Sequence, residues 1–185
     1  MRMYLVWILR THLIFTSLLT VIETGTGVPP ATLAEFTLGG TSGKDNYDVS
    51  LVDGFNVPIQ ITPSVRSCHA PSCNADLGTG CPAGLEGHGG GSPAGCLSDC
   101  RVDPKPLNSP SCCSGQFKTP ATARCFLLSK EHEKTDYCIP QCPPSGVPHY
   151  DYFKSKCPDS YVYAFDESSG SLWTCSNTDY TVTVS

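Results

Sequence analysis

TLAEFTL (Thr32–Leu38) and YDVSL (Tyr47–Leu51) alternate apolar and polar side chains with the period of two that a pleated strand imposes. In the first, Ala34, Phe36 and Leu38 share one face, and Leu33, Glu35 and Thr37 share the other. In the second, Tyr47, Val49 and Leu51 lie opposite Asp48 and Ser50. Each strand therefore has an apolar face to bury and a polar face bearing a carboxylate. Asp53-Gly54 supplies a turn signal before FNVPIQI (Phe55–Ile61), in which Pro58 predicts an edge strand or a bulge. Strand patterning returns at the end of the chain, in YVYAF (Tyr161–Phe165) and YTVTV (Tyr180–Val184). HYDYFKSK (His149–Lys156) is the best short helix candidate, stopped by Cys157-Pro158.

Between the two strand regions the chain changes in kind. Residues 67–157 hold eleven of the twelve cysteines, many prolines and the glycine-rich GLEGHGGGSPAG (Gly84–Gly95), read as a flexible loop. Such a region buries little apolar area, so cross-links must supply its order. Seventeen glycines and 16 prolines in 185 residues exclude a helical bundle or a coiled coil. The formal charge of −5 is the wrong sign for a phosphate-binding surface, so no nucleic-acid partner is expected. Twelve cysteines point to an oxidising compartment. Residues 1–26 read as a leader or signal-like segment: Arg2 and Arg10 precede an apolar run, Leu13–Ile22, that is too short to span a membrane and long enough for a secretory h-region. No stable membrane span is expected elsewhere.

Cysteine spacing is that of a disulfide framework. The pairs Cys68/Cys73, Cys96/Cys100 and Cys138/Cys142 contain no CxxC, and vicinal Cys112-Cys113 suits one zinc ion poorly. No GxSxG elbow is present, and the glycine-rich stretch lacks the Gly-Lys-Ser/Thr of a phosphate cradle. Neither a metal nor a cofactor is expected. The carboxylates remain. Glu35, Asp48 and Asp53 lie on the polar sides or turns of neighbouring strands, and Asp166-Glu167 follows another. Glycoside hydrolysis needs one protonated and one ionised carboxyl close together, and like-charge repulsion is one way to hold the proton. The same residues also fit a plainer reading, with Asp53 as a turn residue and Glu35 and Asp48 as solvated strand positions; spacing alone does not separate the two.

Several motifs, in order, resemble the thaumatin-like protein family: GVPPATLAEFTLGG (Gly27–Gly40), YDVSLVDGFNVPIQI (Tyr47–Ile61), CCSGQFKTPAT (Cys112–Thr122), CPPSG (Cys142–Gly146) and HYDYFKSKCPDSYVYAFDE (His149–Glu167). The resemblance implies a mainly β fold: a thaumatin-like β-sandwich from residues 27–66 and 158–185, with a disulfide-rich lobe from 67–157. It implies an acidic cleft in which the family's glutamate falls on Glu35 and its aspartates on Asp48, Asp53 and Asp166, with Glu167 as the other candidate for the last. It also implies the pairings Cys68–Cys175, Cys73–Cys157, Cys81–Cys96, Cys100–Cys112 and Cys113–Cys142.

Three departures from the family pattern stand out. The N-terminal part of the sandwich, with the cleft arginine, is missing before Gly27, so the sandwich is expected to be incomplete and to expose apolar positions such as Ala34, Phe36 and Leu38. The family's last cysteine is absent from the YTVTVS end. An insert at 123–141 adds Cys125 and Cys138, which pair with each other or stay free. The implied function is that of a secreted, extracellular or cell-wall monomer that binds β-1,3-glucan or another wall polysaccharide in defence or wall remodelling. Weak endo-β-1,3-glucanase activity is the catalytic version, with Glu35 as the acid and Asp48 or Asp53 positioning water. A non-catalytic carbohydrate-binding or antifungal wall protein, or an inactive fragment, is the alternative.

Overall fold

Fourteen short strands, two short α-helices and three 3-10 turns make up the described regular structure. In chain order the strands are β1 (Arg2–Leu5), β2 (Leu33–Thr37), β3 (Asp45–Ser50), β4 (Ile59–Pro63), β5 (Ser72–Cys73), β6 (Glu86–Gly89), β7 (Ser92–Cys96), β8 (Thr119–Pro120), β9 (Phe126–Leu127), β10 (Asp136–Tyr137), β11 (Gln141–Cys142), β12 (Ser160–Tyr161), β13 (Trp173–Cys175) and β14 (Tyr180–Val184). The helices are α1 (Asp99–Val102) and α2 (Tyr150–Lys156). The computed structural model describes residues 2–5, 28–40, 43–89, 92–120, 126–127, 136–137, 141–142 and 144–185. Cys125 and Cys138, and most of the leader-like segment, lie outside the described residues.

The period-two segments form the expected strands, and their registers build a sandwich. One sheet runs β1-β2-β3, antiparallel throughout; on the far edge of β3, β12 pairs in parallel with its C-terminal half and β13 antiparallel with its N-terminal half. The second sheet runs β14-β4-β5, also antiparallel. Ala34, Tyr47, Val49, Leu51, Ile59 and Ile61 join one buried cluster between them. Tyr180 of β14 closes it, its ring 5.1 Å from Phe36 and 5.0 Å from Tyr47, and its hydroxyl donates to Asp45 at 3.2 Å. This explains why Ala34 and Phe36 are buried, contrary to expectation: the second sheet covers them, and of the expected apolar positions Leu38 is left exposed. At about 25 cal/mol per Å² of apolar area, each large side chain in this layer contributes about 2 kcal/mol.

The structure corrects four readings. Pro58 marks neither an edge nor a bulge: it precedes β4, which is paired on both sides. The polar face of β3 is not solvated, because Asp48 is nearly buried and Ser50 wholly so, and Tyr161 shares that face in register with Ser50. YVYAF is a strand only as far as Tyr161; the Val162 N–H then donates to the Asp166 carboxylate at 3.1 Å, which turns the chain into a single 3-10 turn at Asp166–Ser169. The glycine-rich stretch is not merely a flexible loop but an antiparallel hairpin, β6 with β7, carrying an irregularity at Gly87/His88.

That hairpin docks backbone to backbone. Phe55 and Cys96 exchange N–H···O bonds of 2.7 and 2.8 Å. A Cβ at Gly54 would overlap the Cys96 carbonyl oxygen, and one at Gly95 would overlap the Phe55 carbonyl oxygen, so each contact requires glycine. Both also sit at positive φ, +95° and +120°.

Among the described residues five disulfides hold the remainder: Cys68–Cys175, Cys73–Cys157, Cys81–Cys96, Cys100–Cys112 and Cys113–Cys142. The first two tie the start of the cysteine-rich region to its end and to β13. After α1, Asp103 organises a loop: its carboxylate accepts the Lys105 N–H at 2.7 Å and the Ser109 hydroxyl. Those bonds, the Ser109 hydroxyl first, hold its carboxyl below the usual aspartate range.

Two outcomes follow. Gly95→Ala adds a backbone clash to left-handed strain, which alone costs about 1–3 kcal/mol. Gly84→Ala, at φ +90° in open space, isolates the strain, so urea unfolding with disulfides intact should show G95A losing more stability than G84A. The lowered Asp103 pKa means that its contribution is present above the unfolded value of about 3.9 and is lost as pH falls through the folded value. Asp103→Asn should therefore unfold more easily than wild type at pH 7, and the gap should narrow as an acid titration falls below the unfolded value.

Candidate functional site

The β2–β3 register puts Glu35 directly opposite Asp48. Residues so paired have Cβ atoms about 5 Å apart, and sheets ordinarily avoid facing like charges. Since Ala34/Val49 and Phe36/Tyr47 face the core, Glu35/Asp48 and Leu33/Ser50 occupy the opposite face of the sheet. Tyr161, opposite Ser50 in the parallel β3–β12 pair, belongs to that face too. Burial raises its hydroxyl pKa far above the ordinary phenol value, and the charges of Glu167, Asp48, Asp166 and Glu35 raise it further. Four carboxylates thus act on one phenol, which stays protonated.

Asp53 lies beyond this pair, on the turn whose Gly54 N–H donates to the Leu51 carbonyl at 2.8 Å. Its carboxylate accepts from Arg101 of α1, through Nε at 3.0 Å and through Nη2. The residues flanking Arg101 fix α1 in place. Ser98 Oγ donates to the Val52 carbonyl at 2.6 Å, Cys100 is disulfide-bonded to Cys112, and the buried Asp99 accepts the His149 N–H at 3.0 Å and lies 2.7 Å from its Nδ1. His149 in turn precedes α2, so α1 joins the sandwich turn to the lobe helix.

The acidic pair after YVYAF is split by its environment. Asp166 is wholly buried and takes the Tyr150 hydroxyl at 2.9 Å, Lys154 Nζ at 3.1 Å and the Val162 N–H. Lys154 Nζ also donates to Ser171 Oγ at 2.6 Å and to the Ser160 carbonyl at 2.8 Å. Burial lowers the Lys154 pKa, and the Asp166 charge partly restores it. Burial, with Asp166 and Glu167, pushes the neighbouring Tyr163 hydroxyl up to about 12. Asp166 therefore organises the turn from inside, whereas Glu167 is exposed.

The structure thus brings Glu35 and Asp48 together, engages Asp53 with Arg101, and withdraws Asp166 from the surface. Sequence reasoning missed Arg101, Lys154 and Tyr161. Arg101 carries no local signal, because its partner is 48 residues away in the chain. The alternation in Tyr161–Phe165 does carry one, but it does not say which face Tyr161 takes. Among the described residues no three His, Cys, Asp or Glu side chains are grouped to hold a metal ion, and no helix is long and apolar enough to cross a membrane.

Residues 20–185 match the family model described as Thaumatin family. The chain is 42% identical over 151 residues to thaumatin-like protein 1 of Pyrus pyrifolia, covering 80% of this chain and 51% of that protein. It is 39% identical over 162 residues to pathogenesis-related protein 5 of Arabidopsis thaliana, covering 86% and 57%. It is 36% identical over 159 residues to a protein of Prunus avium named glucan endo-1,3-beta-glucosidase, covering 84% and 55%. The chain spans about half the length of the curated relatives it matches.

A double-mutant cycle tests the internal role of Asp166. Removing one partner strands a buried charge, so Lys154→Met or Asp166→Leu alone should cost about 3–5 kcal/mol of unfolding free energy. The combined variant should cost clearly less than the sum, measured by denaturant unfolding.

Proposed function

This chain belongs to the thaumatin family, and on that premise we propose that its Glu35–Asp48 face binds cell-wall β-1,3-glucan. The observation that carries the reading is the cross-strand register that sets these two carboxylates opposite each other, beside Tyr161. A sugar hydroxyl both donates and accepts. Ionised carboxylates accept from it, and the protonated phenol donates to it. The relative from Prunus avium that is named glucan endo-1,3-beta-glucosidase supports the choice of glucan over other polysaccharides.

Slow hydrolysis is the catalytic version of this reading. Glycoside hydrolysis needs two carboxyls at the scissile bond, one to donate a proton and one to stay ionised. Glu35 then acts as the acid toward the leaving oxygen, with Asp48 or Asp53 positioning or activating water. Glu167 replaces Asp166 as the accessible fourth carboxylate, because Asp166 is sealed beneath the Tyr161–Ser169 turn. The five disulfides support an oxidising location outside the cell, where a wall polysaccharide is met.

Retention on insoluble β-1,3-glucan, with reducing sugar assayed in the supernatant, tests the reading. Wild type is retained, and Glu35→Gln and Asp48→Asn each weaken retention about tenfold, the loss of one charge-assisted hydrogen bond. If sugar is released, E35Q reduces the rate by about 100-fold or more, as expected for removal of a general acid. Retention without sugar release identifies a non-catalytic glucan binder. Equal behaviour of E35Q and wild type removes Glu35 from the site.

A further inference from the structure

Resting on the glucan reading, we infer that Arg101 and Asp53 together form a sugar-hydroxyl clamp beside the Glu35–Asp48 pair, and that Arg101 selects a neutral polysaccharide over a cationic one. Both Arg101 contacts converge on Asp53 Oδ1. Among the described residues the remaining guanidinium N–H groups meet no acceptor, and Asp53 Oδ2 receives no donor. Free donors and a free acceptor oxygen thus stand side by side at a solvent-reachable pair, with side-chain exposures of 44% and 26%. That arrangement complements two neighbouring sugar hydroxyls, one accepting and one donating.

Exposed ion pairs contribute little to stability, yet both halves of this one are held rigidly. Ser98, Asp99 and Cys100 anchor α1 to the Val52 carbonyl, to His149 and to Cys112. The Asp53 carbonyl accepts the Ala31 N–H at 3.2 Å, which ties the turn to the segment leading into β2. At about 3.3 Å per extended residue, Ala31 lies at most about 13 Å from Glu35, so the turn that carries Asp53 is tied to the start of the strand that carries Glu35. Preorganised donors lose little entropy on binding, which is the gain a rigid clamp provides. The guanidinium also offsets the Asp53 charge, so the pair offers an amino sugar no net negative charge, and removing Arg101 would uncover the carboxylate.

The test uses the full chain with its disulfides intact. Arg101→Gln should weaken retention on insoluble β-1,3-glucan about tenfold and raise retention on chitosan, while the thermal unfolding midpoint stays at the wild-type value. Arg101→Lys keeps the charge but loses the planar fork, so it should stay weak on glucan and stay off chitosan. In the unmutated protein, a soluble β-1,3-gluco-oligosaccharide should shift the Arg101 Nε–H signal in a nitrogen-15 NMR spectrum. Wild-type-like glucan retention by R101Q, or an unmoved Nε–H signal under saturating oligosaccharide, overturns the clamp and leaves the Glu35–Asp48 reading standing. Failure of wild type to bind glucan at all overturns both.

Discussion

The ladder around β3 is the constraint on which the sandwich and the candidate site both depend. Asp45–Ser50 is hydrogen-bonded along both edges, to β2 on one side and to β12 and β13 on the other. Its register is fixed by burial: a slip of one residue would send Asp48 into the layer now filled by Tyr47 and Val49. Burying a carboxylate there without a partner costs far more than any single apolar contact returns. The register that seals the core is therefore the register that sets Glu35 against Asp48, and one cannot be varied without the other.

What β3 does for the sandwich, cross-links do for the cysteine-rich region, and the two devices meet. Cys73 lies in β5, on the edge of β4, and is bonded to Cys157 at the end of α2. Cys68–Cys175 joins the same region to β13, which pairs with β3. These bonds close loops with sequence separations of 84 and 107, and in the chain-entropy account each removes about 4–5 kcal/mol from the unfolded state. Non-local covalent closure replaces the apolar area that a stretch rich in glycine and proline does not bury.

The legible part of the fold is the part with side-chain periodicity. Leu33–Thr37, Tyr180–Val184 and helix α2 lie where alternation and the Cys157-Pro158 stop place them, because each presents a face that must be buried. The β6–β7 hairpin was invisible for the opposite reason: with glycine at 84, 87, 89 and 95 no side-chain period exists, and its fit depends on the absence of Cβ atoms against Phe55 and Pro30. The Tyr161–Phe165 strand was cut short by a tertiary contact, the capture of the Val162 N–H by Asp166. At the site, alternation put Glu35 and Asp48 on polar faces, but only pairing register makes them neighbours.

The acidic residues also divide by what neutralises them. Lys154 holds Asp166 inside the protein, and Arg101 holds Asp53 at the rim. Glu35 and Asp48 face each other across a ladder, and their charges, with those of Glu167 and Asp166, add to the burial that raises the Tyr161 hydroxyl pKa. A sequence carrying a net charge of −5 thus does not fold into a uniformly acidic surface. Lys154 and Arg101 serve carboxylates that fix backbone and turn geometry. The family motifs name the residues of that division, but only the long-range pairs Arg101–Asp53 and Lys154–Asp166 bring it about.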